Sequence, residues 1–243
     1  MKYLSFLPLL IGTAVLAEPI EVAYRDKPPY SYTENGQPKG FLLERTIAIF
    51  KRAGIEARYL EVPVKRITTD IQANQRPICS PSWYKLPERE AYARFSLPIH
   101  QDKPHVVLAS PKARAAVSRH KLLSSLFADA SLQLGVVEGV SYGQALDTAI
   151  AQTAKPPMRS TVTPLQLARM VAHGRADYML IDQEDLSYLQ SHSALNTLKL
   201  VKLAFPDMPA GLKRYIMCSQ QVDPATLNQL DEAIRAVVPG LTP

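Results

Sequence analysis

The residues best placed to do chemistry are an arginine and the two aromatic residues shortly before it. Arg89 follows Pro87, which suits the first position of a helix, and Trp83 and Tyr84 precede that helix. A guanidinium beside the free N–H groups of a helix start favours a carboxylate or phosphate, and aromatic rings pack against the apolar part of a ligand. The pattern predicts an anion-binding site; the alternative is an arginine on a solvated helix face beside core aromatics.

Strand-like and helix-like patterns alternate along the first half of the chain. Apolar strands are predicted at 21–24 and 57–62 and again just before the aromatic pair, and helices with apolar faces begin near Phe41 and Val64. Such alternation is typical of parallel β-α-β units, whose ligands bind at the carboxyl ends of the strands. The proline-rich segment 25–40, by contrast, is predicted to lack regular structure.

The second half offers two more candidates at the ends of predicted strands. Ser141 follows the strand 134–137 and is predicted to be the N-cap of a helix whose free N–H groups face a cleft. Asp182 follows the strand 178–181. A carboxylate there either binds a cation or caps the next helix.

Composition and charge narrow the class of protein. The 243 residues carry a formal net charge of +6, and the basic residues are scattered, which does not favour a nucleic-acid partner. Residues 1–17 combine an early lysine, an apolar run and small residues up to Ala17, the layout of a cleavable secretory signal. We therefore expect cleavage after Ala17 and a periplasmic location. No other stretch approaches the roughly 20 apolar residues that a membrane helix needs.

The segment from Ile78 to Ser96 resembles a known family. A strand, a polar loop, the helix start Pro-Glu-Arg at 87–89 and a Phe-Ser pair are similar to the first lobe of the family 3 bacterial extracellular solute-binding proteins, the periplasmic receptors of polar amino acid uptake systems. The Gly-Arg-x-Asp turn at 174–177 resembles a second motif of that family. The resemblance covers nearly all of the mature chain.

The resemblance implies roles for individual residues. Arg89 would grip the α-carboxylate of the ligand, and the hydroxyl of Ser141 would complete the carboxylate site. Asp182 would bind the α-amino group. Tyr30 would stack on the ligand, although it could instead pack on the prolines of its own loop.

Two points of the resemblance stay open. Glu184 or Asp185 could bind the amino group in place of the preceding aspartate. Members of the family usually carry a Thr or Ser five residues before the arginine, where this chain has Tyr84, with Ser80 and Ser82 further back. We take Ser80 and the aromatic pair as the candidates on this side of the cleft.

The resemblance also implies an architecture and a function. The fold class would be α/β, a two-lobed type II periplasmic-binding-protein fold with lobe 1 at 18–102 and 208–243, lobe 2 at 103–207 and two hinge crossings. A monomeric, non-enzymatic receptor would capture an amino acid or related carboxylate for the permease of an ABC transporter. Two alternatives are a dehydratase-like enzyme with a cleft carboxylate as general acid, and a sensor for a non-amino-acid ligand.

The cysteines and histidines complete the predictions. Cys79 and Cys218 form either a disulfide or two separate buried thiols, and we predict the disulfide because both fall on strands assigned to the same lobe. His100 and His105 are predicted to face solvent, since no cysteine or acidic partner stands at metal spacing. No metal and no cofactor are expected.

Overall fold

The computed structural model describes residues 18–192 and 195–241, so the predicted signal sequence lies outside the described residues. Within this part of the chain the strands are β1 (Ile20–Tyr24), β2 (Tyr32–Glu34), β3 (Gln37–Lys39), β4 (Ala57–Glu61), β5 (Ile78–Tyr84), β6 (Ala93–Gln101), β7 (Val106–Ala109), β8 (Leu134–Val137), β9 (Met158–Ser160), β10 (Tyr178–Ile181), β11 (Val201–Leu203) and β12 (Lys213–Ser219). The helices are α1 (Phe41–Ala53), α2 (Val64–Ala73), α3 (Pro87–Glu90), α4 (Arg114–Ser118), α5 (Leu123–Phe127), α6 (Gln144–Ala151), α7 (Pro164–Ala172), α8 (Gln183–Ser191) and α9 (Pro224–Val237).

The strands of the described residues form two five-stranded sheets and one small hairpin. The first sheet has the order β4-β1-β5-β12-β6, in which β1 is parallel to both neighbours and β12 is antiparallel to both of its own. The second sheet has the order β11-β7-β10-β8-β9, with β8 parallel to β10 and β9, and β7 antiparallel to its neighbours. Helices flank both sheets, so the predicted α/β class is confirmed.

Helix α1 shows how the pattern of apolar residues builds the first sheet's outer layer. Its side chains at 42, 43, 46, 49 and 50 are buried, which is the spacing of one helical face. Gly54 follows with φ 69°, the left-handed conformation that commonly ends a helix. Helix α9 begins at Asp223-Pro224, as its sequence predicts, and packs on α1 and β6 through residues such as Leu230 and Ile234.

The segment 25–40 is more regular than its prolines suggest. Strands β2 and β3 pair across Asn35 and Gly36, whose φ angles are 52° and 74°. Two successive positive φ angles make the type I′ turn that joins hairpin strands, and Asn-Gly is its preferred sequence. The prediction of no regular structure was wrong because the Asn-Gly signal outweighed the surrounding prolines.

Over the residues that the structure describes, the chain passes between the sheets twice. Strand β6 ends in the first sheet at Gln101 and β7 begins the second sheet at Val106; the return runs from Leu203 to Lys213. The two passages touch, because the Asp102 N–H donates to the Leu212 carbonyl at 2.9 Å. The exact lobe limits at 102/103 and 207/208 stay a prediction.

A disulfide links the returning strand to the strand that carries the aromatic pair. Cys79 and Cys218 are bonded, with their Cα atoms 4.0 Å apart, and they are direct partners in the register of β5 and β12. The disulfide prediction is confirmed, and Cys79 is the second residue of β5. None of the helices in the described residues combines the length and the hydrophobicity that spanning a lipid bilayer requires.

Candidate functional site

A cavity of about 660 Å³ lies between the two sheets, at the carboxyl ends of their parallel strands. Residues from both sheets line it. Those of the first sheet and its loops include Arg25, Lys27, Ser82, Trp83, Tyr84, Arg89 and Arg214, and those of the second include His105, Ser141, Tyr142, Asp182 and Asp185. Of the residues that the sequence singles out, the structure therefore brings Trp83, Tyr84, Arg89, Ser141 and Asp182 to one cavity.

Tyr30 and Ser80 do not line this cavity. Tyr30 is fully buried, and its ring lies beneath the ammonium of Lys27, which is 4.1 Å from the ring centroid, and the guanidinium of Arg214, at 4.4 Å. Ser80 is also buried, and its Oγ accepts a hydrogen bond from the indole Nε1 of Trp83 at 2.8 Å. Both residues support cavity side chains here, and their direct contact with a ligand stays a prediction.

A bulge in β5 sends consecutive side chains into the cavity. In the pairing with β12, Met217 faces Ser80 and Tyr215 faces Trp83, so two residues of β5 oppose one residue of β12. Ser82 lies in this bulge with φ 71°. Because a bulge breaks the alternation of a strand, Ser82, Trp83 and Tyr84 all line the cavity from within β5, not from the loop that the sequence suggested.

Ser82 is itself a candidate ligand contact. Only 7% of the residue is exposed, and its Oγ has no hydrogen-bond partner among the described residues. Left-handed backbone is costly for a residue other than glycine, and such strain is concentrated at functional sites. An unpartnered buried hydroxyl on a strained backbone at the cavity wall is suited to a polar ligand group.

Two guanidinium groups flank the indole of Trp83. The Cζ atoms of Arg89 and Arg25 lie 5.0 Å and 5.9 Å from the ring centroid. Arg89 also donates from Nη1 to the Tyr84 carbonyl at 2.9 Å, which fixes its direction. Burial lowers the pKa of Arg89 and, together with the charge of Arg214, lowers that of Arg25 to about 10, so both stay charged at neutral pH.

At the cavity wall, Arg214 links three residues by hydrogen bonds. Its Nε donates to Asp102 at 2.8 Å, its Nη2 to the Tyr84 hydroxyl at 3.0 Å, and its Nη1 to the Ser82 carbonyl at 3.2 Å. The Tyr84 hydroxyl in turn donates to Asp102 at 2.7 Å. Because Arg214 and Asp102 are almost completely buried, this pair fixes the bulge and the aromatic wall.

The acidic side of the cavity is a pair of aspartates on the second sheet. Asp182 directly follows β10 and is the N-cap of α8, where its carboxylate accepts from the Asp185 N–H at 2.7 Å. The ammonium of Lys27 lies 3.5 Å from a carboxylate oxygen of each aspartate. The helix-cap alternative for Asp182 is thus what the structure shows, and the same carboxylate also faces the cavity.

The two aspartates have opposite pKa shifts. Burial alone raises the pKa of Asp182, but the charges of Lys27 and Arg214 outweigh burial and the net shift is downward. Burial raises the pKa of Asp185 to about 7, and the neighbouring Asp182 adds to that shift. Asp182 is therefore the ionised partner, and Asp185 keeps its proton up to near-neutral pH.

Ser141 is not the helix N-cap that its sequence suggests. Gly143 is the N-cap of α6 and has no side chain to cap with, so the predicted N-cap role of Ser141 is wrong. The Ser141 hydroxyl donates to Asp147 at 2.5 Å and accepts from the Gly143 N–H at 3.1 Å. It orders the loop at the cavity wall.

The two histidines are less exposed than predicted. His105 is 9% exposed and lines the cavity, and burial lowers its pKa. His100 Nε2 lies 3.4 Å from Asp102 and 3.7 Å from Glu184, which joins the two sheets at the first passage. These three side chains could hold a metal by type and spacing, but Asp102 already accepts from Arg214 and Tyr84. The prediction of solvent-facing histidines was wrong because both lie where the sheets meet.

A comparison with family models decides the classification. The model of the bacterial extracellular solute-binding proteins, family 3, matches residues 20–238. The chain belongs to this family. The resemblance seen in the sequence is confirmed, and the protein is a solute-binding protein.

Solved structures agree with the fold of this solute-binding protein. The arginine-, lysine-, histidine-binding protein ArtJ from Geobacillus stearothermophilus is similar with a TM-score of 0.69 at 18% identity, over 91% of this chain and 90% of that one. An ancestral arginine-binding protein bound to arginine gives 0.68 at 16%, over 90% and 91%. The ancestral amino acid-binding protein AncCDT-1, a precursor of cyclohexadienyl dehydratase, gives 0.66 at 19%, over 90% and 88%. No curated protein matches the chain. The predicted two-lobed type II fold is confirmed.

Arg25, Lys27, Ser82 and Arg214 are among the cavity residues of the solute-binding protein that sequence reasoning missed. Arg25 and Lys27 directly follow β1, so the rule that ligands bind at the carboxyl ends of parallel strands could have found them. The sequence contains no signal for Ser82, because the bulge in β5 places this residue at the cavity wall. The sequence contains no local signal for Arg214 either, since its partner Asp102 lies 112 positions away.

Proposed function

We propose that this solute-binding protein captures a small carboxylate, an amino acid or a related acid, in the cavity between its lobes. The observation that supports this most directly is the pair Arg25 and Arg89. Neither guanidinium has a carboxylate within 4.0 Å among the described residues. Partly buried cations without a counter-charge are costly, and an anionic ligand supplies the missing charge.

The surrounding groups fit the rest of such a ligand. The indole of Trp83 offers an apolar face beside both guanidinium groups, and the Ser82 hydroxyl has free hydrogen-bonding capacity. Contacts from both sheets to one ligand favour the closed arrangement of the lobes, because the ligand then binds that arrangement more tightly than an open one.

The physiological setting follows from the family and the sequence. The signal-like residues 1–17 support a periplasmic location for the receptor. Its partner is the permease of an ABC transporter. It acts as a monomer, without cofactor or catalysis. The similar structures include proteins named for binding arginine, lysine or histidine, which supports a ligand of amino-acid size.

A binding screen with a matched variant tests the proposal. Isothermal calorimetry with amino acids and the corresponding carboxylic acids should give saturable binding for at least one carboxylate, and Arg89→Met should weaken that binding by about thirtyfold, the equivalent of about 2 kcal/mol for a lost charge-assisted pair. Arg52→Met, on the exposed face of α1, removes the same charge away from the cavity and should leave the affinity unchanged. Equal binding by wild type and Arg89→Met would refute the proposed site.

The raised pKa of Asp185 keeps one catalytic alternative open for testing. A carboxyl with a pKa of about 7 at a cavity wall can act as a general acid, and AncCDT-1 is described as a precursor of a dehydratase. If the protein were such an enzyme, a bound hydroxy acid would lose water in the presence of wild type but not of Asp185→Asn. If the hydroxy acid is recovered unchanged after incubation with wild type, the result supports a receptor function and contradicts a dehydratase function.

A further inference from the structure

The negative charges that could bind a cationic group of a ligand are already paired within the protein. Asp182 and Asp185 are the buried carboxylates that line the cavity, and the Lys27 ammonium lies 3.5 Å from an oxygen of each. Arg214 also approaches Asp182, with its Nη2 4.0 Å from Oδ2, the same oxygen that Lys27 contacts. The cationic partner that these two carboxylates need is thus a side chain of the protein itself.

Lys27 is held in this position by its surroundings. Its backbone N–H donates to the Ser31 carbonyl at 2.7 Å in an isolated bridge, and its ammonium lies 4.1 Å from the centroid of the Tyr30 ring. The side chain is only 20% exposed. A cation that contacts the ionised carboxylate of Asp182, a carboxyl oxygen of Asp185 and an aromatic face has three attractive partners, which a competing ligand ammonium would have to replace.

The other carboxylates at the cavity are weaker partners for a ligand cation. Asp26 and Glu61 are exposed to solvent, and Glu61 already accepts a hydrogen bond from the Thr33 hydroxyl. Attraction to an exposed carboxylate is reduced by water and salt. The cavity therefore presents unmatched positive charge from Arg25 and Arg89 and no unmatched buried negative charge in the described structure.

Resting on the proposed function, we propose that this receptor selects small carboxylates that lack an α-ammonium group, because Lys27 occupies the position beside Asp182 and Asp185 that such an ammonium would take. The lysine acts as a built-in substitute for the ammonium of an amino acid. An amino acid would bring its own ammonium against the Lys27 charge, or would have to displace Lys27 from both carboxylates. A deaminated acid binds the two guanidinium groups without either cost.

Matched pairs of ligands test this selectivity directly. Calorimetry would compare L-glutamate with glutarate, L-phenylalanine with 3-phenylpropanoate, and L-leucine with 4-methylpentanoate, each pair differing by the ammonium group alone. For any pair that binds, we expect the deaminated acid to bind at least about tenfold more tightly to wild type. An amino acid that binds as tightly as its deaminated partner would overturn this inference and leave the proposed function standing.

A variant of Lys27 tests whether the charge of this lysine causes the preference for acids without an ammonium group. Lys27→Met keeps most of the side chain over Tyr30 but removes its charge, so the ratio of the two affinities should move at least about tenfold toward the amino acid. Lys51→Met removes an equal charge from an exposed position on α1, away from the cavity, and should leave that ratio unchanged. An unchanged ratio in Lys27→Met would overturn the role of Lys27. Failure of every carboxylate to bind wild type would overturn the proposed function as well.

Discussion

Removing Arg214 should destabilise the protein severely, because its partner would remain as a buried charge. The side chains of Asp102 and Arg214 are 0% and 3% exposed, and their closest approach is 2.8 Å. Breaking a buried ion pair from one side costs about 3–5 kcal/mol, since the remaining charge loses its counter-charge. Arg214→Met should therefore lower the free energy of unfolding by about that amount, a large fraction of the total for a typical domain.

A double-mutant cycle separates the pair from the effect of lost volume. In Asp102→Asn/Arg214→Met both charges are gone, and the amide oxygen of the introduced asparagine can still accept from the Tyr84 hydroxyl. The double variant should be more stable than the sum of the single changes implies, with a coupling of at least about 1 kcal/mol. The free energy of unfolding of wild type, both single variants and the double variant is measured by urea unfolding. Circular dichroism and the fluorescence of the single tryptophan, Trp83, follow the transition. The stabilising role of the Asp102–Arg214 pair would be refuted if the effects of the two single changes were strictly additive, or if Arg214→Met were as stable as wild type.

Four further predictions concern the site, the disulfide, the acidic pair and the passage between lobes. Thiol titration of the unreduced, denatured protein should detect no free thiol, and reduction of Cys79–Cys218 should lower the free energy of unfolding by up to about 5 kcal/mol, given a sequence separation of 139 residues. Because burial raises the folded-state pKa of Asp185 to about 7 from 3.8, its contribution to stability should be lost as the pH rises from about 4 to 7; urea titrations at successive pH values should show this loss in wild type but not in Asp185→Asn. Gly211→Ala should destabilise the protein by about 1–3 kcal/mol in the same assay, since a Cβ there would overlap the Asp102 carbonyl oxygen. Arg89→Lys should recover only part of the ligand affinity lost in Arg89→Met, because an ammonium cannot form the planar two-point contact of a guanidinium.

The parts of the structure that follow from local pattern could be read from the sequence. The face of α1, the start of α9 at Asp223-Pro224 and the placement of Arg89 all depend on residues close together in the chain. Their spacing records which side is buried, so the α/β alternation and one wall of the cavity were predictable.

The parts that failed depend on contacts between distant segments. The bulge at Ser82 exists because β5 pairs with β12, a strand from much later in the chain, and no local signal announces it. The pairing of Lys27 with Asp182 joins residues from the two halves of the chain and requires the two sheets to face each other. The N-cap prediction for Ser141 failed for a simpler reason. A serine two residues before the true N-cap, Gly143, gives nearly the same sequence pattern as a capping serine.

The contact between the two interlobe passages has a mechanical consequence. The Asp102 N–H is bonded to the Leu212 carbonyl, the Gln101 side chain donates to the Gly211 carbonyl, and Gly211 lies against the backbone of Asp102 too closely for any side chain. Two chain segments that are hydrogen-bonded side by side bend together readily, but they resist sliding and twisting past each other. The lobes should therefore open and close about a single axis. Each closure then brings Lys27 back to the same two aspartates.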